Sequence, residues 1–197
     1  FDCPLPAEAV TVGLEWRQRL GTRRPVWIAA STHREEDGWA LQAHRALLES
    51  HPDAALILVP RHPQRFEPVW EQLRGSGLRR ARRSSGDFDE QTQVLLGDSM
   101  GEMWAYLAAA DVALVASGTA TLEGLLSKRP MVVAYRANAA TYAVVQTLGL
   151  VKVKHVAMAN LLADERLAPE LIQAACEPAQ LLPPLLEFFR NTGLRGQ

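Results

Sequence analysis

No apolar run in this sequence approaches the roughly 18 to 20 residues that a membrane-spanning helix needs. Cysteine is scarce, with Cys3 and Cys176 at opposite ends and without metal-ligand spacing. That excludes a disulfide framework and reads as free thiols of a reducing compartment. Neither sign of charge dominates: 21 Lys and Arg face 22 Asp and Glu, for a net charge of −1. Without a basic field, nucleic acid is not an expected partner. Ser-His-Asp order, HExxH and CxxC are all missing, as is any carboxylate pair spaced for acid–base work. No catalytic residue is therefore assigned, and no metal is expected. The start shows no initiator Met and no signal-peptide layout. Its opening FDCPLP, residues 1–6, reads as an interdomain linker from a longer chain.

What is present is apolar material for one core. Apolar residues make up 48% of 197 positions, which suits a single domain over 1–197. Helical spacing predicts a helix over 7–20, closed by Gly21. Short apolar runs predict strands at 25–31, 54–60, 93–98, 112–117 and 130–136. Helices are expected between them at 39–51, 66–77, 101–110 and 121–128. Further helices are expected at 139–149, 169–176 and 179–193. The arginine-rich LRRARRSS, 78–85, alternates like an edge strand. Strands alternating with helices of about ten residues predict βαβ units and a mostly parallel sheet. The fold class is α/β, a Rossmann-like doubly wound parallel sheet. Ligands of such sheets bind at the carboxyl ends of the strands.

The residues just past each strand therefore carry the site. STHREED puts Ser31, Thr32 and His33 at the first end; a backbone cradle or a cap for the next helix would each use them. PRHPQRF puts Arg61 and His62 in a proline-braced turn, suited to base or phosphate contact or to plain solvation. GDSMGE supplies Ser99, Met100, Gly101 and Glu102; the glycines allow close backbone approach, while an acidic first turn also suits the helix dipole. SGTATLE supplies Ser117, Gly118, Thr119, Ala120 and Thr121, with Glu123 in the first helical turn. These can turn N–H groups and hydroxyls toward an anion, with Glu123 accepting from ribose hydroxyls. A simple cap by Thr119 or Thr121 is the other reading, and four such loops at one rim favour a ligand. His44 and His51 read as surface histidines. Arg79, Arg80, Arg82 and Arg83 read as a solvated edge, and Trp16, Trp39, Trp70 and Trp104 as helix packing.

Two resemblances divide the chain. RPVWIAASTHREED, LLESHPDAALILVPRHPQRF and TQVLLGDSMGEMWAYLAAADVA resemble the C-terminal domain of Kdo transferase, over about 1–113. That family moves 3-deoxy-D-manno-octulosonate from its CMP-activated form onto lipid A precursors. Its glycine-rich GGHNPLE-type loop is absent here. DVALVASGTATLEGLLSKRPMVVAYR, VKVKHVAMANLLADERLAPELIQ and the tail resemble lipid-A-disaccharide synthase instead, over about 113–189. That family transfers a glucosamine-derived sugar from a UDP donor, and its PGSR-type first loop is replaced by ASTHREE. The economical explanation is a chimera joined near 111–118.

Both families have the glycosyltransferase-B architecture, and the resemblance implies its C-terminal, donor-binding domain. It places Ser31 to His33, Arg61, His62 and Ser99 to Glu102 near a cytidine nucleotide. It places Ser117 to Thr121 near a diphosphate, Glu123 on ribose and Asn160 near the donor sugar or phosphate. The implied ligand is CMP, UDP or a UDP-sugar, with no metal. The catalytic carboxylate and the acceptor site belong to the N-terminal domain in both families, so the chain alone is expected to be inactive. Its parents work on lipid A precursors at the cytoplasmic face of the inner membrane, which implies a cytoplasmic location. An engineered chimeric scaffold without a ligand, or a subunit needing a separate N-terminal domain, are the alternatives. The apolar tail 180–189 either packs on its own sheet or supports self-association through an exposed interdomain face.

Overall fold

Along Val26–Thr32 (β1) the side chains alternate between two apolar cores, as the two-residue pleat requires. Val26, Ile28 and Ala30 face one cluster with Trp16, Leu20 and Tyr106. Trp27 and Ala29 face the other, with Leu41, Leu47 and Leu73. A strand apolar on both faces must be covered on both. The helices Ala7–Leu20 (α1), Arg34–Ser50 (α2) and Phe66–Arg74 (α3) supply part of that cover. The computed structural model describes residues 6–116, 120–135, 158–163, 168–172 and 176–191.

The other strands are Ala55–Pro60 (β2), Arg80–Arg82 (β3), Val94–Leu96 (β4) and Val112–Val115 (β5), followed by Met131–Tyr135 (β6) and Glu170–Ile172 (β7). The seven form one sheet in the order β3-β4-β2-β1-β5-β6-β7, and every pairing is parallel. The remaining described helices are Met103–Ala109 (α4), Ala120–Leu126 (α5), Met158–Ala163 (α6) and Pro178–Asn191 (α7). The chain winds outward from β1 through β2, then returns to lay β5 against β1's other side. That reversal opens a crevice at the carboxyl ends of β1 and β5.

Three expectations change. Within 169–176, expected to be helical, residues 173–175 lie outside the described residues and Glu170–Ile172 form β7, which pairs with β6 through Val133↔Glu170 and Tyr135↔Ile172. Their local propensity is overridden by an open sheet edge. His44 is fully buried rather than a surface group, and its Nδ1 accepts from the Trp27 indole N–H at 3.1 Å. The expected edge strand is β3, although its arginines are paired and stacked rather than merely solvated. Arg80 and Arg82 lie over the Trp70 ring, and Arg82 also reaches Glu67. The apolar tail packs on its own domain, with Leu181, Leu185 and Phe189 buried on the α2 side of the sheet. The expected helix at 139–149 lies outside the described residues.

Candidate functional site

The end of β1 sets the first wall. Pairing with β2 slips between Ala30 and Thr32, and Ser31 takes a positive φ of 58°. That left-handed conformation is uncommon for a residue with a Cβ and concentrates at functional sites. The irregularity leaves Ser31 on the rim while Thr32 is buried. Thr32 Oγ1 donates to the buried Asp37 carboxylate at 2.5 Å, and Asp37 also receives Arg65. Burial pushes the Asp37 carboxyl up to about 6, against the pull of Thr32 and Arg65.

Ser31 shares a cleft of about 270 Å³ with Pro60 and Arg61 from the end of β2, the 99–104 segment after β4, and Glu123 of α5. Val59 and Tyr106 form its floor. Close packing beneath it requires Gly97, where a Cβ would meet Val59 Cγ2 at 2.8 Å and Tyr106 Cζ at 2.9 Å. Gly101, with φ 79°, has open space around its missing side chain. Met100 beside it is 62% exposed. An apolar lip next to a bare backbone suits a flat ring.

Polar groups face that lip. Ser99 donates to Glu102, and Ser99 Oγ lies 2.5 Å from the Tyr106 hydroxyl. Burial pushes the Tyr106 phenol well above its ordinary range, so it stays a neutral hydroxyl. The other Glu102 oxygen accepts from Arg83 at 2.7 Å. Burial also raises the Glu123 carboxyl. Arg61 is exposed, and its backbone N–H donates to the Thr32 carbonyl at 3.0 Å. Among the described residues the cleft thus offers an exposed cation, two carboxylates, hydroxyls and a glycine backbone.

Seven of the expected site residues meet here: Ser31, Arg61, Ser99, Met100, Gly101, Glu102 and Glu123. His33 and His62 stand beside it with ring centroids 6.4 Å apart; the His33 N–H caps α2 by donating to Glu36 at 2.7 Å. Ala120 and Thr121 begin α5 and are buried. Ser117, Gly118 and Thr119 lie outside the described residues. Asn160 is fully buried and bonds Ala168 at both its amide nitrogen and its oxygen, with a second bond to Glu170. Its amide braces the chain before β7. From sequence Trp104 reads as packing and Arg83 as solvated charge, and Tyr106 carries no signal of its own; only the fold brings them to this rim. Among the described residues no three His, Cys, Asp or Glu side chains converge as a metal site.

Comparisons with known proteins find both halves of the resemblance. Residues 79–193 match the family model described as lipid-A-disaccharide synthetase. The 3-deoxy-D-manno-octulosonic acid transferase of Haemophilus influenzae is 44% identical over 124 residues, 59% of this chain and 28% of that protein. The lipid-A-disaccharide synthase of Xanthomonas campestris pv. campestris is 53% identical over 91 residues, 46% of this chain and 21% of that protein. The chain therefore matches less than a third of the length of either relative. Among solved structures, the C-terminal CMP-Kdo binding domain of WaaA from Acinetobacter baumannii superimposes with a TM-score of 0.68 at 28% identity. That alignment covers 94% of this chain and 89% of that one. The fold is thus that of a C-terminal glycosyltransferase-B domain. The family match begins well before residues 111–118, so the second resemblance reaches further back than its motifs alone.

Proposed function

The chain belongs to the lipid-A-disaccharide synthetase family, and from that premise we propose that it is the donor-nucleotide-binding half of a lipid A-pathway glycosyltransferase. The observation that carries the reading is the cleft at the carboxyl ends of the strands, where Ser31, Arg61, Ser99, Glu102 and Glu123 converge. Arg61 would pair with a phosphate, since a guanidinium matches its oxygens in a planar fork. Glu123 would accept from the ribose hydroxyls. Met100 and the Gly101 backbone would lie along the base. Ser117 to Thr121 would approach the donor's phosphate from the other side, and their pyrophosphate role belongs to the UDP-linked alternative, since a CMP-linked sugar carries a single phosphate.

The donor is proposed to be CMP-linked rather than UDP-linked. Most of the cleft comes from the Kdo transferase-like half, and the structural neighbour is by its description a CMP-Kdo binding domain. The chain is also proposed to be a join of two glycosyltransferase halves near 111–118. What supports this is that the two families match the chain separately, over 124 and 91 residues, neither across its whole length. Sugar transfer would require the rest of a two-domain enzyme, whose carboxylate takes the acceptor proton. Positioned binding alone contributes little rate.

Calorimetric titration with CMP, UMP, CDP and UDP side by side tests this reading. Saturable binding with CMP preferred is the expected result. Preference for UDP would hand the donor to the second half of the chain, and no binding at millimolar nucleotide would remove the proposal.

A further inference from the structure

We propose that Arg83 is a positioning residue of this cleft, holding Glu102 and through it the whole wall after β4. The inference rests on the nucleotide reading only for its ligand arm. Arg83 follows edge strand β3 and continues its ladder, its N–H donating to the Leu96 carbonyl at 2.9 Å. This brings it to the carboxyl end of the sheet, level with the cleft. Its guanidinium lies 4.5 Å from the Trp16 ring centroid and donates to Glu102 Oε1 at 2.7 Å. Ser99 takes the other Glu102 oxygen and lies 2.5 Å from the Tyr106 hydroxyl.

Packing holds only the base of this turn, at Gly97; Met100 is 62% exposed and Gly101 has nothing within 4 Å of its Cβ position, so no apolar contact fixes the tip before α4. What holds it is a set of polar ties to the turn after β3. Ser84 donates twice to Asp98, from its N–H at 2.8 Å and its hydroxyl at 2.6 Å, and Arg83 closes the second tie through Glu102. The Arg83 and Glu102 side chains are 27% and 29% exposed, and the Trp16 face beneath the guanidinium limits its rotamers. An ion pair stacked and half-buried in this way orders its partner more than an exposed pair does. Arg83 is thus neither a solvated charge nor a ligand contact, but the strut for Ser99, Gly101 and Glu102.

The test combines Arg83→Met, Arg83→Lys, Glu102→Gln and the Met/Gln double variant. In the first arm, CMP affinity falls about tenfold in Arg83→Met, as expected for loss of one charge-assisted bond. It recovers partly in Arg83→Lys. In the Glu102→Gln background the Met change adds little, because the strut has lost its load. Equal losses in both backgrounds would overturn the proposal, since Arg83 would then act on the ligand or on the fold directly. The second arm needs no ligand, so it remains decisive if the native chain binds no nucleotide. Amide hydrogen exchange in Arg83→Met is expected to speed up at residues 99–103 while β1, β2 and β5 keep native protection. Unchanged exchange there would overturn the proposal as well.

Discussion

At the scale of single residues, two buried titratable groups respond to pH in opposite directions. Asp37 is raised from 3.8 to about 6, chiefly by burial, so the folded state holds its proton longer than the unfolded chain does. Its stabilisation is present below 3.8 and is lost as pH rises toward 6. His44 is lowered from 6.5 to about 4 by burial, so its contribution is present above 6.5 and is lost as pH falls toward 4. Each spans on the order of 3 kcal/mol, and between about pH 4 and 6 they offset one another. Asp37→Asn removes only the first. Urea midpoints from pH 4 to 7 should show the variant gaining on the native chain as pH rises. A variant that loses ground instead would mean that Arg65 holds Asp37 ionised. Gly97→Ala, which drives a methyl into Val59 and Tyr106, should cost about 1 to 3 kcal/mol by the same measurement. The ends of strands were legible from sequence here, because polar residues after an apolar run mark the rim. Which of Ser31 and Thr32 faces it was not, because a slip in the β1–β2 register decides which side each takes. His44 was legible in principle: it falls with Ala40, Leu41 and Leu47 on the buried helical face.

Among the described elements, α1 and α4 approach closely. A Cβ on Gly13 would lie 2.3 Å from the Ala105 carbonyl oxygen and 2.6 Å from Ala108 Cβ. Backbone cannot yield there, so Gly13→Ala should push α4 off α1 and lower stability by about 1 to 3 kcal/mol. Because α4 carries the cleft floor at Tyr106, nucleotide affinity should fall with it; a fully stable variant with native affinity would contradict this placement. The helices with long apolar periodicity were readable, and α1 ends where Gly21 predicts. In α7, Pro183 and Pro184 interrupt an otherwise apolar pattern without ending the helix. Its Leu181, Leu185 and Phe189 still face the core at four-residue spacing. The short β7 was not readable. Three residues carry too little pattern, and only the free edge of β6 makes them a strand.

For the whole molecule, the sheet is continuous across the region where the two resemblances meet. β5 pairs with β1 on one side and β6 on the other, so a cut there divides the sheet at its centre. Cutting the chain at 111–118 should therefore leave two insoluble or molten fragments, and a cooperative near-ultraviolet circular dichroism transition in either would contradict that. The intact chain, matching less than a third of each curated relative, should show no transfer of Kdo or of a glucosamine-derived sugar in a radiolabelled acceptor assay. The arginine edge shows why site chemistry was only half legible: a run of like charges looks solvated until the fold lays it beside Glu67, Asp98 and Glu102. The most direct test is an amide chemical-shift map of the isotope-labelled chain titrated with CMP. Saturating shifts should gather at Ser31, Arg61, Ser99 to Glu102 and Glu123. Shifts that gather elsewhere, or none at saturating nucleotide, would contradict a donor site in this cleft.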